Sequence, residues 1–183
     1  FTILDDDEPM PDRTLTVESA HGSCAPPVGT NVYAHGTSVS CVATSPVVLG
    51  TTQFVCAGWT GAGCIPASGS GAAVPPFALT NDSALAWKWD TNVWLGVAAE
   101  AGGSVTGAVS GWRELDTEVS LTATPDAGHA FAGWAGDVSA GQVMENPLTL
   151  AVDRARAVTG RFISVASGNL LNNPGFEDAA GTN

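Results

Sequence analysis

Apolar residues recur at every second position in several short stretches of the chain. Between Thr37 and Ala43, the residues Val39, Cys41 and Ala43 lie two positions apart, and the segment 119–123 repeats the spacing. A period of two predicts a half-buried β-strand. No segment has a sustained period of 3.6 residues with capping residues at its ends. We therefore expect a mainly β protein whose helices are few and short.

The strongest of these stretches occurs twice. Residues 36–61 read GTSVSCVATSPVVLGTTQFVCAGWTG, and residues 115–136 read LDTEVSLTATPDAGHAFAGWAG. Each copy contains an alternating strand that ends in Ala-Thr, a turn, and a short apolar strand that closes on Ala-Gly-Trp. Trp59 in the first copy matches Trp134 in the second. A motif written twice indicates a repeat architecture.

The same patterns predict six strands in each copy, joined by turns. Pro26, Pro27 and Gly29 should interrupt the first copy, and the glycine-rich segment 61–73 should be a flexible excursion. The predicted strands of the first copy are 15–17, 22–24, 37–43, 53–59, 77–79 and 85–89; those of the second copy are 94–98, 103–105, 119–123, 130–134, 147–150 and 158–163.

These elements divide the 183 residues into four parts. We expect a strand and linker at 1–12, a first β-repeat at 13–90, a second at 91–163, and a linker with another strand at 164–183. Two units of this size bury little core each, so they need packing neighbours or covalent links. The fold expected is a tandem repeat of two small β-sheet modules in an elongated arrangement.

Charge excludes some partners. Only six residues are Lys or Arg, and the formal net charge is −12. Nucleic acids and anionic membranes are bound through clustered basic residues, so neither is expected as a partner. Pro, Gly, Ser and Thr interrupt every apolar run, which argues against a membrane span.

All four cysteines lie in the first repeat, and none forms a CxxC pair. An even number in one small β unit indicates two disulfides and an oxidising compartment, rather than a zinc site. Cys41 and Cys56 lie on consecutive predicted strands, so we predict that they are bonded to each other. Cys24 and Cys64 would then pair by elimination, although four cysteines allow three connectivities.

Six tryptophans against one tyrosine raise the question of sugar binding, because aromatic faces stack on pyranose rings. Trp59 and Trp134 occupy the same position in both copies, which indicates core anchors. Trp87, Trp89 and Trp94 are the candidate ligand contacts. Two interpretations stay open for them: packing between the repeats, or a glycan platform.

No catalytic constellation is visible. The chain has no G-x-S-x-G motif, and its three histidines are not paired with a nucleophile in sequence. We therefore expect no enzymatic activity.

Residues 118–136, followed by Asn-Pro-Leu-Thr-Leu and a closing Gly-Arg-Phe, resemble the divergent relatives of the internalin B-repeat. The resemblance covers most of 94–163, and residues 13–90 look like a variant of it that carries cysteines. It implies small β-grasp-like or mostly β units along large secreted or surface-anchored bacterial proteins. It implies no enzymatic activity.

The two ends resemble other families. The run TILDDDEP is similar to the closing strand of Calx-β domains, in which acidic residues can bind calcium. Asp5, Asp6, Asp7 and Glu8 are thus weak candidates for a structural calcium ion, the sole cofactor considered, against a solvated acidic linker. Residues 169–183 resemble the opening of jelly-roll carbohydrate-binding modules. We expect the chain to be a middle section of a longer protein.

The sequence favours a structural spacer or stalk in a secreted or cell-surface bacterial protein, with the neighbouring domains of that chain as partners. One alternative is a module that binds carbohydrate or protein, such as an adhesin. Another is the subunit of an extracellular filament that assembles by strand addition.

Overall fold

The computed structural model describes residues 10–165, and these residues form strands, turns and loops without a helix. The prediction of a mainly β fold is confirmed. The strands, in chain order, are β1 (Arg13–Glu18), β2 (Cys24–Ala25), β3 (Gly29–Tyr33), β4 (Thr37–Ala43), β5 (Val47–Leu49), β6 (Thr52–Ala62), β7 (Ser68–Ser70), β8 (Ala73–Leu79), β9 (Ser83–Ala99), β10 (Gly103–Thr106), β11 (Gly111–Glu114), β12 (Thr117–Pro125), β13 (His129–Gly136), β14 (Leu148–Val152) and β15 (Arg156–Ser164).

The chain divides into two compact units. The first contains the described residues up to Leu95 together with Gly111–Thr117 and Val152–Ala155. The second contains Gly96–Ser110, Glu118–Ala151 and the described residues from 156 onwards.

Two layers of strands form the first unit. In one layer, β4 lies between β2 and β8 and pairs antiparallel with both. In the other, β9 pairs parallel with β1 and antiparallel with β6 and β11, while β3 extends the layer beyond β1. Alternate residues of the two layers face each other, because successive side chains of a strand point to opposite faces. The buried cluster between them consists of Leu15, Val17, Val39, Cys41, Ala43, Cys56, Trp59, Ile65, Val74, Leu79, Leu85 and Trp87.

The second unit has a sheet in the order β10–β12–β14 and an antiparallel pair formed by β13 and β15. Glycines permit close approach inside it. A Cβ on Gly160 would meet Val105 Cγ2 at 2.7 Å, and a Cβ on Gly103 would meet the ring of Phe162. The buried residues of this unit are Leu121, Ala123, Trp134, Leu148, Leu150, Val158 and Phe162.

The repeated Ala-Gly-Trp sequence forms a β-bulge in each unit. The register of β6 against β9 shifts between Cys56 and Gly58, and that of β13 against β15 shifts between Phe131 and Gly133. Gly58 has a φ of 152° and Gly133 a φ of 114°, a region that L side chains rarely adopt. A bulge of this kind re-aims the next residue, which here is the buried tryptophan.

The turn before the alternating strand is also shared. Gly36 has a φ of 78° and Asp116, at the matching position, a φ of 64°. The hydroxyl of Thr37 donates to the carbonyl of Ala34 at 2.7 Å, and that of Thr117 donates to Glu114 at 2.7 Å. The two copies thus begin the strand with the same local hydrogen bond, which the sequence pattern alone did not specify.

Several strands differ from those predicted. Residues 85–89 and 94–98 were expected to be separate strands, whereas β9 is one strand of 17 residues. Four strands were missed: β3, β5, β7 and β11. β7 lies in the stretch 61–73 that was expected to be a flexible excursion; its backbone pairs with that of β6, from Gly58↔Ser70 to Thr60↔Ser68.

Candidate functional site

The three candidate tryptophans of β9 do not share one environment. Trp87 is buried and lies directly opposite Trp59 of β6, with the ring centroids 6.0 Å apart in an edge-to-face arrangement. Trp89 is half-buried on the same face as Trp87. Trp94 lies on the opposite face of the strand and is 39% exposed. Of the three, Trp94 is therefore the one that presents its ring to solvent.

Trp89 belongs to a small aromatic cluster. The ring of His21 stacks on Phe54 with centroids 3.6 Å apart, and it meets Trp89 edge to face at 5.8 Å. The indole Nε1 of Trp89 donates to the Ser19 hydroxyl at 3.0 Å, and that hydroxyl donates to the His21 carbonyl at 2.6 Å. These contacts occupy the polar groups of the cluster with one another, which is the arrangement of a packing element.

Trp94 has an aromatic partner that sequence reasoning missed. Trp112 of β11 lies directly opposite Trp94 in the antiparallel ladder, with the ring centroids 5.3 Å apart and the planes at 80°. Edge-to-face pairs of this kind are a favoured geometry for aromatic side chains. The sequence around Trp112, Gly-Trp-Arg-Glu, is too short to show the period of two, so β11 was not predicted.

A row of polar side chains lies beside this tryptophan pair. Asn92 precedes Trp94 by two residues and so faces the same side of β9. Its direct neighbours across the ladder are Glu114 of β11 and Gln53 of β6, and its amide donates to the Gln53 carbonyl oxygen at 3.3 Å. Two amides and one exposed carboxylate therefore lie next to the two indole rings, all on one face of the first unit.

The same face carries a shallow groove further along β9. It is floored by small residues, and its volume is about 210 Å³. The lining residues are Thr16, Glu18, Thr60, Gly61, Ala62, Ala84, Leu85 and Ala86.

The four cysteine thiols are unbonded in the structure. Cys24 packs against the buried cluster that contains Cys41 and Cys56, whereas Cys64 is not part of that cluster. Burial raises the pKa of the Cys41 thiol to about 11 and also raises the pKa of Cys56. The pairs Cys41–Cys56 and Cys24–Cys64 stay predictions, and the surroundings of Cys24 favour a partner within the cluster.

Cys64 has a polar environment. Its sulfur accepts hydrogen bonds from the backbone N–H groups of Thr80 and Asn81, each at 3.3 Å, and lies 3.4 Å from the Thr80 hydroxyl. The hydrogen bond with the Thr80 side chain is the largest of the effects that lower the pKa of this thiol to about 7. Donors that face a sulfur stabilise its thiolate, which is the nucleophilic form.

Two other candidate groups can be placed. Asp5, Asp6, Asp7 and Glu8 lie outside the described residues, as does the stretch 169–183 that resembles a carbohydrate-binding module. Among residues 10–165, no group of three or more His, Cys, Asp or Glu side chains is arranged to hold a metal ion. Within the same range, no helix is long and apolar enough to cross a membrane.

The second repeat has the same bulge and buried tryptophan as the first, but its chain closes differently over the anchor. The backbone N–H of Trp134 donates to the Val143 carbonyl at 2.7 Å, and its indole Nε1 donates to the Glu145 carbonyl at 2.6 Å. In the first repeat β7 lies over Trp59, because a Cβ on Gly69 would overlap the indole ring. Residues 93–166 match the family model of the divergent InlB B-repeat domain. This match confirms the resemblance of 94–163 to internalin-type B-repeats.

The B-repeat family belongs to bacterial surface proteins, in which it forms repeat domains. No curated protein and no solved structure matches the chain. The family match ends before the cysteine-bearing first repeat, so the kinship of residues 13–90 rests on the shared bulge, turn and tryptophan.

Proposed function

We propose that this chain is a structural repeat module, a spacer or stalk, of a bacterial surface protein. Residues 13–90 and 91–163 are its two repeats. The observation that carries the proposal is the duplicated core: a glycine bulge followed by a buried tryptophan, at Gly58-Trp59 and Gly133-Trp134. In repeat proteins, what is retained from copy to copy is the packing of each unit, as it is here.

The composition supports a role outside the cell. Charged residues make up 13% of the chain, and small and hydroxyl side chains take their place on the exposed strand faces. The family match places related modules in bacterial surface proteins. In that location the two predicted disulfides would form, and each would stabilise the first repeat by about 2–4 kcal/mol.

A display experiment tests the spacer. The full chain is inserted between a cell-wall anchor and an epitope tag on a bacterial surface, and antibody labelling of the tag is measured. A folded spacer raises labelling above that of the anchor and tag alone. The matched control replaces Trp59 and Trp134 by Ala, which removes both anchors while the chain length stays constant. Equal labelling by the control and the natural chain would show that folded modules are not needed for this role.

A further inference from the structure

Trp94 is exposed at a position where a polar residue would suffice. It lies on the outward face of β9, next to the buried residues Val93 and Leu95, and 39% of its surface is open to solvent. Large apolar side chains on a surface are uncommon unless they contact something, and grouped exposed aromatics mark binding sites. Trp112 lies against Trp94 at 5.3 Å and limits the orientations of its ring. The pair is therefore a fixed aromatic surface.

Polar groups lie at one strand-repeat from this surface. Residues two apart on a strand are separated by about 7 Å, so the row of Gln53, Asn92 and Glu114 lies one pyranose ring's width from the row of Trp94 and Trp112. Amide and carboxylate oxygens accept hydrogen bonds from hydroxyl groups, and amide N–H groups donate to them. A mainly apolar surface with a few placed polar groups is the usual composition of a small-molecule site.

Rigidity favours binding here. Asn92 and Gln53 are joined by a hydrogen bond of 3.3 Å, and the backbone N–H of Trp94 donates to the Thr51 carbonyl at 3.0 Å. All of these groups lie on paired strands rather than on loops, so little conformational entropy is lost when a ligand orders them.

Charge selects among glycans. The formal net charge of −12 and the exposed Glu114 repel anionic polysaccharides. We propose that the outward face formed by Trp94, Trp112, Asn92, Gln53 and Glu114 binds a neutral oligosaccharide. A sugar ring stacks through its C–H face on Trp94, and its hydroxyl groups bond to Asn92 and Glu114. This site goes beyond the spacer role and does not depend on it.

The test is calorimetric titration of the full chain with cellohexaose, laminarihexaose and mannohexaose, with a galacturonate hexamer as the anionic comparison. At least one neutral probe is expected to bind saturably with a Kd below about 1 mM. Trp94→Ala is expected to weaken that binding by about tenfold or more, and Asn92→Ala by about fivefold. Leu49→Ala, which changes a residue of the same unit that is 63% exposed, is the matched control and is expected to leave the Kd unchanged.

Far-UV circular dichroism of each variant verifies folding, and Asn92→Ala leaves both indoles in place if Trp94→Ala unfolds. The absence of saturable binding by every neutral probe up to about 10 mM would overturn the proposal. Equal affinity of the natural chain and the two site variants would overturn it as well. Self-association that Trp94→Ala abolishes, without sugar binding, would assign the face to a second copy of the chain and contradict it too.

Discussion

The side chain of Asn146 makes two hydrogen bonds with the backbone of Ala123. Its Oδ1 accepts from the Ala123 N–H at 2.9 Å, and its Nδ2 donates to the Ala123 carbonyl at 2.8 Å. Ala123 lies on β12, and the side chain takes the place that a neighbouring strand's backbone would occupy. In the first repeat the matching Ala43 N–H bonds to a true backbone carbonyl, that of Ala72, at 2.9 Å.

This contact predicts a graded loss of stability. Asn146→Ala leaves both backbone groups of Ala123 without their partner, and we expect it to lower the free energy of unfolding by about 2–3 kcal/mol. Asn146→Asp keeps the acceptor and loses the donor, so its cost should be smaller. Urea titrations of the two variants measure both values. Equal stability of the natural chain and Asn146→Ala would contradict the assigned role.

The two tryptophan anchors give a matched pair of substitutions. Trp134 donates its indole N–H to Glu145, whereas the Nε1 of Trp59 is buried with no partner among residues 10–165. Tryptophan to phenylalanine removes the same volume in each case. We therefore expect Trp134→Phe to cost about 1 kcal/mol more than Trp59→Phe. Urea unfolding of the two variants measures the difference, and a larger cost at Trp59 would show that the indole N–H of Trp134 contributes nothing.

The bulge predicts that alanine is not tolerated at Gly58. Its φ of 152° is rarely adopted by L residues, and a Cβ there would overlap the Gly69 carbonyl oxygen. We expect Gly58→Ala to destabilise the chain by more than about 2 kcal/mol. Gly36→Ala is the control: its φ is 78° but a Cβ there meets nothing within 4 Å, so only backbone strain of about 1 kcal/mol applies. Thermal unfolding compares them, and similar costs would argue against the close approach of β7.

Cys64 is predicted to be the first thiol of the reduced chain to react. A thiol whose pKa is lowered is deprotonated at lower pH, so its alkylation rate should rise with pH through a midpoint of about 7. Cys41, whose pKa is raised to about 11, should react last. Iodoacetamide labelling followed by peptide mapping measures both. Thr80→Val removes the hydroxyl and should move the midpoint upward, while fast labelling of another cysteine would contradict the prediction.

The sequence was sufficient for the parts of the fold that depend on periodicity. β4 was predicted with its observed bounds, and Trp59 and Trp134 were correctly assigned to the core. Short strands escaped because a stretch such as 111–114 contains too few residues to show a period. β7 escaped because its glycines are there for a close approach to Trp59, which depends on contacts distant in sequence.

The candidate site was only partly predictable for the same reason. Alternation along β9 was enough to separate Trp94 from Trp87, since even and odd positions of a strand face opposite sides. Trp112, Gln53 and Glu114 reach Trp94 and Asn92 only through the pairing of β9 with β6 and β11. Register between strands is set by long-range packing, and one sequence does not contain it.

Small-angle X-ray scattering of the full chain tests the spacer most directly. A compact single globule of this length has a radius of gyration of about 16 Å, whereas an extended spacer should reach about 20 Å or more. We expect the larger value, a monomeric mass, and no change with concentration. A radius of gyration near the compact value would contradict the spacer, and a mass that grows with concentration would favour the filament instead.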